Sequence, residues 1–202
     1  MTIQAKSIDT FMAAGVAQAL RSDPQAITSQ EFLSLYDAYF TRIYNYARYR
    51  CGDAHTADDL TAAVFERALE RLVDFDAQRG SFGAWLFTLA RGIITHHLRS
   101  DYAIGWLPLD EVNEIPDGNP TPEERLIRSE TQTSLLAALS HLSERDRDVL
   151  SLKFGGHLTN RRIAEITGLS SNHVGIILFR AIHKLRAVFD EKELDEEHSI
   201  YG

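Results

Sequence analysis

The sequence predicts an all-α fold: two small helical domains joined by a flexible acidic linker. Three observations carry this reading. Apolar residues recur at three- and four-residue steps through most of the chain, and no strand-like alternation occurs. Four of the five prolines, with two glycines, fall in the stretch 101–124, which has no helical period. Charge is partitioned rather than mixed. Residues 101–130 hold eight acids against Arg125 and Arg128, whereas residues 135–189 hold eight Lys and Arg against four acids.

The chain has 202 residues, 44% of them apolar, which suits one or two domains with buried cores. No run of about 18 apolar residues is present, so no membrane span is expected. The N-terminus lacks a basic segment followed by a long apolar core, so no signal peptide is expected. The single cysteine, Cys51, cannot pair within the chain, and a reducing, cytoplasmic setting fits. A net charge of −8 argues against nucleic acid only until its distribution is read. A basic lobe lies beside acidic segments.

Residues 1–30 read as a leader with one short helix before Pro24. From Glu31 a helix carries the stripe Phe32, Leu35, Tyr36, Tyr39, Phe40, Ile43, Tyr44 and Ala47. A second helix is predicted from about Thr56 to Leu72, striped by Leu60, Val64, Phe65 and Ala68, with Asp58 and Asp59 in its first turn, where acids suit the helix dipole. Gly80 breaks the loop that follows. A third helix spans Phe82 to Arg99, and the first domain covers 31–100.

The linker 101–124 ends in a helix-start signal. Thr121 can cap, Pro122 suits the first helical position, and Glu124 completes a capping box. A helix to about His141 opens the second domain, 125–189. Ser143 with Asp146 starts the next, to about Phe154. An acidic tail, 190–202, closes the chain, where solvated disorder is expected.

The stretch from Leu158 to Arg186 has helix-turn-helix spacing. Two helices that cross steeply need a small residue at the contact and one that tolerates positive φ at the turn; Ala164 and Gly168 supply them. The second helix buries Val174, Ile177 or Leu178, Ala181 and Leu185. Asn172, His173, Ile176, Arg180 and His183 then face outward, available to a DNA major groove. Two features are unfavourable for the fold alone. Arg161 and Arg162 oppose the helix dipole at about 0.3–1 kcal/mol each. Gly175 costs roughly 1 kcal/mol against alanine inside a helix. A phosphate at Arg161 and Arg162 offsets the first, and close approach of DNA accounts for the second; close helix packing is the competing reason for Gly175.

With these residues in view, the chain resembles the bacterial RNA polymerase sigma factors of the extracytoplasmic-function type. The matching segments are "TADDLTAAVFERAL" and "FGAWLFTLARGIITHHLR" in the first domain, and "LSERDRDVLSLKF" and "IAEITGLSSNHVGIILFRAIHKLR" in the second. The resemblance implies a sigma region 2 helical bundle that docks on core RNA polymerase and binds the −10 promoter element, capturing unpaired bases. It also implies a sigma region 4 helix-turn-helix that reads the −35 element as duplex. The linker would thread the polymerase. Implied polymerase contacts are Asp58, Asp59, Leu60 and Phe65. Implied −10 contacts are Arg79, Ser81, Phe82, Trp85, Arg91, His96 and Arg99, with loop Asp76–Ser81 forming a base pocket. On the −35 side they are Arg161, Arg162, Ser171, Asn172, His173, Gly175, Ile176, Arg180 and Lys184. Aromatic platforms and cations are what single-strand capture requires.

The sequence also departs from the family's pattern. Gly92 stands where Asn is usual, His96 where an acid is usual, and Ala62 where Gln is usual. Arg161 and Arg162 replace glutamates, and Gly175 and Ile177 replace basic residues. An unusual −35 preference is therefore expected, with Asn172 and His173 reading base edges and Ile176 on a thymine methyl.

The resemblance implies core RNA polymerase and promoter DNA as partners, and an anti-sigma factor as a frequent companion in the family. No cofactor, metal or catalytic residue is expected. Adjacent His96 and His97 point about 100° apart on a helix and do not suit one ion, and no nucleophile or phosphate-loop motif is present. The alternative function is a helix-turn-helix regulator that does not bind core polymerase.

Overall fold

The computed structural model describes residues 29–76, 78, 80–101 and 134–200, with only the helical backbone beyond 189. Leader residues 1–28, linker residues 102–124, the predicted start of the helix after Thr121, and Arg79 lie outside the described residues.

Three helices build the first lobe: α1 (Ser29–Cys51), α2 (Ala54–Glu70) and α3 (Phe82–Asp101), with a short 3-10 turn at Leu72–Asp74. The second lobe holds a helical segment α4 (134–140), then α5 (Glu144–Phe154), α6 (Asn160–Thr167) and α7 (Ser171–Ile200). No strand occurs among the described residues. The predicted tail enters α7, whose helical backbone runs on to Ile200 instead of ending near Phe189.

Local chemistry sets the helix starts. Asp53, in extended backbone, caps α2 by accepting from the Thr56 amide. The helix therefore opens two residues earlier than predicted. This corrects the place of Asp58 and Asp59, which lie beyond the first turn; a side-chain cap, not the dipole, secures this end. Ser143 caps α5 as predicted, its Oγ accepting from the Asp146 amide at 3.2 Å. Thr159 caps α6 through the Arg162 amide at 3.3 Å. Gly168 ends α6 with φ of 76°, a left-handed turn that glycine adopts without steric penalty.

The predicted stripes face the core, with Leu35, Tyr36, Tyr39, Phe40 and Leu185 only partly buried against it. Ile43, Val64, Leu86, Phe87 and Ile94 are fully buried in the first lobe, and Leu139, Leu152, Ile163 and Val174 in the second. An aromatic group of Tyr36, Phe40 and Phe65 fills the space between α1 and α2, with centroid separations of 4.7–6.3 Å.

The two lobes pack against each other, an arrangement that periodicity does not reveal. α1 lies on α5, and α3 lies on α6. Two glycines permit the approach. A Cβ on Gly155 would sit 2.8 Å from the Asn45 carbonyl carbon and the Tyr46 amide nitrogen, and one on Gly156 would sit 2.8 Å from both the Phe87 ring and the Leu152 carbonyl of its own lobe. The Gly156 carbonyl accepts twice from the Arg42 guanidinium, at 2.9 and 2.8 Å. That guanidinium also lies over the rings of Tyr39 and Phe87, 5.0 and 5.6 Å from their centroids.

Candidate nucleic-acid interface

The helix-turn-helix is assembled as its spacing predicts. Ile163 of α6 and Val174, Ile177, Leu178 and Ala181 of α7 are buried together, which turns the opposite side of α7 outward. Ser171, Asn172, His173, Ile176, Arg180 and His183 are all exposed there. Arg145 of α5 reaches this surface, and its NH2 donates to His173 Nε2 at 3.3 Å. Lys184 is exposed but tethered, its Nζ lying 3.5 Å from Asp146 Oδ2.

One exposed residue was missed by sequence reading. Phe179 is 66% exposed and packs its ring edge-on against His183, with centroids 4.4 Å apart. Asn172, Ile176, Phe179 and His183 follow one another at steps of four, three and four, so the helical period itself could have placed Phe179 on this face.

The two arginines at the start of α6 have a partner within the fold. Arg162 NH1 lies 2.6 Å from Glu165 Oε2 and Arg161 Nε lies 3.3 Å from Oε1. The hydrogen bond from Arg162 holds the Glu165 carboxyl below its usual range. Glu165 thus counters the unfavourable placement of both cations against the dipole. Arg161 keeps a well-exposed side chain that a phosphate can reach. Around Gly175 there is room, since a Cβ would meet only Asn160 Nδ2 at 3.8 Å. Helix packing therefore does not demand this glycine.

On the first lobe, α3 presents Thr88, Arg91, Gly92, Thr95, His96 and Arg99 along one groove, whose far wall is Ile166 of α6. Ser81 is exposed at the start of α3, where its Oγ accepts from the Ala84 amide at 3.3 Å. Phe82 requires a correction. At 8% exposed it is a core residue, enclosed by Tyr39, Phe75 and Trp85, and offers no open face for a base. Trp85 is only partly buried and packs on Phe75 and Phe82. Leu60 and Phe65 require the same correction, being 5% and 2% exposed in the core of the first lobe. Asp58 and Asp59 do lie on the surface of α2, where Asp59 Oδ2 is 3.3 Å from His55 Nδ1.

A polar cluster between the lobes had no sequence signal. Asp148 of α5 is buried, and three residues of the first lobe converge on it. Tyr46 Oη donates to Oδ1 at 2.7 Å, and Arg91 Nε donates to Oδ2 at 2.7 Å. Arg50, itself buried, stands 3.4 Å from Oδ1 without hydrogen-bond alignment, and also reaches Glu144 Oε1 at 3.5 Å. Burial, and next the Asp148 charge, push the Tyr46 phenol well above its ordinary range, so it stays a donor. Among the described residues no group of three or more His, Cys, Asp or Glu is placed to hold a metal ion. Nor is any described helix long and apolar enough to cross a membrane.

Comparison with known proteins agrees with this geometry. Residues 35–103 match the family Sigma-70 region 2, and residues 138–187 match Sigma-70, region 4. The chain belongs to the extracytoplasmic-function RNA polymerase sigma factors. It is 31% identical over 161 residues to the ECF RNA polymerase sigma factor BldN of Streptomyces coelicolor, covering 80% of this chain and 61% of BldN. It is 25% identical over 163 residues to SigW of Bacillus subtilis, covering 77% of this chain and 87% of SigW. The fold is similar to that of CnrH in complex with the cytosolic domain of CnrY, with a TM-score of 0.61 at 22% identity over 90% of this chain and 98% of that one. It is also similar to RpoE of Bartonella quintana in complex with the anti-sigma factor NepR, with a TM-score of 0.63 at 17% identity over 80% and 98%. In this sigma factor the region 2 match covers most of α1 and all of α2 and α3, and the region 4 match covers α5, α6 and the first part of α7.

Proposed function

We propose that this sigma factor binds core RNA polymerase, brings it to specific promoters and assists strand opening, without chemistry of its own. The observation that carries the reading is the outward face of α7, where Asn172, His173, Ile176 and Arg180 are all exposed at major-groove reach on a rigid two-helix unit. Membership of the family and the matches to regions 2 and 4 support the rest.

In this reading residues 31–100 form the polymerase and −10 domain, and residues 125–189 form the −35 domain, with 101–124 as linker. Asn172 and His173 read base edges, Ile176 touches a thymine methyl, and Arg161, Arg162, Arg180 and Lys184 meet phosphates, with Ser171 and Gly175 at close backbone approach. Ser81, Trp85, Arg91, His96 and Arg99 serve the −10 strand, and Asp58 and Asp59 serve the polymerase. The protein acts in the cytoplasm, where the polymerase is, and an anti-sigma factor is a fitting regulatory partner.

Transcription in vitro with core polymerase over a promoter library, with and without this chain, tests the proposal. Start sites that appear only with the chain support it. DNA binding without association with core polymerase favours a helix-turn-helix regulator instead.

A further inference from the structure

We propose that Arg145 of α5 is a further −35 contact and that His173 is its positioning residue: the imidazole brackets the guanidinium, which takes a guanine in the major groove. The proposal deepens the reading of α7 as the −35 helix and rests on it.

Three observations support it. First, the fold makes no use of the Arg145 charge. Arg145 is the second residue of α5, where a cation opposes the helix dipole, and it is exposed. The acids on either side of it are engaged elsewhere, Glu144 with Arg50 at 3.5 Å and Asp146 with Lys184 at 3.5 Å. Among the described residues no carboxylate pairs with Arg145, whereas Arg161 and Arg162 share Glu165. Second, the contact with His173 has a fixed polarity. Arg145 Nη2 lies 3.3 Å from His173 Nε2. A guanidinium carries donors only, so Nε2 accepts and the ring proton sits on Nδ1. Nη2 has one proton on each of the two bidentate edges of the guanidinium. Using one leaves the other edge with two parallel donors. The pair then shows the groove donors and no acceptor.

Third, the bracket stands at the end of α7 that a groove receives. α5 packs against α7, and His173 lies in the first turn of α7. The His173 amide donates to Ser170 Oγ at 3.2 Å, a cap that holds this turn in place. The N-terminal residues of a recognition helix are the ones that meet base edges. Guanine shows two adjacent acceptors in the major groove, N7 and O6. Adenine and cytosine each show a donor there, and thymine shows a single acceptor. A bracketed two-donor edge therefore matches guanine alone.

The test assembles the full chain with core polymerase, captures promoters from a library randomised over the −35 region, and sequences the bound DNA. Arg145→Ala, His173→Ala and His173→Gln are compared with the unaltered chain, and circular dichroism monitors helicity. The unaltered chain is expected to enrich guanine at one −35 position. Arg145→Ala is expected to lose about tenfold of that preference and to keep the rest of the motif, with unchanged helicity. His173→Ala loses it at the same position. His173→Gln, whose side-chain carbonyl can accept from the guanidinium, keeps most of it. A uniform loss of affinity with an unchanged motif in Arg145→Ala would make Arg145 a phosphate contact and overturn the proposal. Equal losses in His173→Gln and His173→Ala overturn the bracket. A motif altered by His173→Ala but not by Arg145→Ala means that His173 reads alone; the proposal then fails while α7 remains the −35 helix. Capture of no −35 motif by the unaltered chain removes the underlying reading as well, so the two failures are distinguishable.

Discussion

Arg91 and Asp148 lie 57 residues apart on different lobes, and their side chains meet at 2.7 Å. The carboxylate is buried and the guanidinium is partly open to water. Removing one partner of a fully buried pair costs about 3–5 kcal/mol, and the exposure of Arg91 reduces that here. Double-mutant cycles of Arg91→Ala and Asp148→Ala, followed by urea unfolding, are expected to give a coupling energy of about 1–2 kcal/mol. Additive single effects would mean that the contact is not formed in solution.

Thr159 is the only side-chain cap on α6, the supporting helix of the helix-turn-helix. Thr159→Ala is expected to lower stability by about 1 kcal/mol, while Thr159→Ser leaves it nearly unchanged. Thermal unfolding of the two variants checks this.

Gly175 sits within α7 with room for a methyl group. Gly175→Ala is expected to stabilise the free chain by about 0.5–1 kcal/mol, through helix propensity and a less flexible unfolded state. If the glycine serves close approach of DNA, the same variant binds its promoter duplex more weakly. Thermal unfolding and a promoter-binding assay on one preparation read both effects.

Base readers and phosphate contacts should separate by salt dependence. Asn172→Ala and His173→Ala are each expected to cost about 1–3 kcal/mol of discrimination between promoters, with the salt slope kept. Arg161→Ala is expected to weaken all duplexes alike and to reduce the slope by about 1. Binding titrations at several salt concentrations, on a promoter selected by in vitro transcription, decide it. No loss for Asn172→Ala and His173→Ala would remove both from base readout.

Cys51 closes α1 with its thiol directed at the Asp53 carbonyl, 3.3 Å away. Burial pushes the thiol up to about 11, the Asp53 carbonyl contact opposing it only in part. A raised thiol value means the reactive thiolate is scarce below that pH and grows as pH approaches 11. Near pH 8 the thiolate fraction is about 100-fold below that of a thiol at 9, and alkylation by iodoacetamide should be slowed correspondingly. An ordinary alkylation rate in the native protein would show Cys51 to be open.

Much of the site was legible because it depends on local spacing. Val174, Ile177 and Ala181 had to be inside together, so Asn172, His173 and Arg180 had to be outside. The same reasoning failed for Phe82, Leu60 and Phe65. Residues that occupy a family's functional segment also carry its core, and only packing shows that these three point inward. Nor does spacing show that Glu165, one turn on, pairs with both Arg161 and Arg162 within the fold. The start of α2 was misplaced because Asp58 and Asp59 drew the boundary toward themselves, whereas Asp53 makes the cap.

By itself the sequence determined the helices, the faces they bury, the helix-turn-helix and the division of charge. These follow from a period of 3.6 residues and from cap and turn chemistry acting over three or four positions. Only the tertiary structure decided that the lobes lie together. Asp148 meets Tyr46, Arg50 and Arg91 from 57 to 102 residues away, and the Gly155 backbone meets Asn45. Contacts between positions so distant leave no periodic trace along a chain. They arise when two preformed surfaces happen to match in shape and charge.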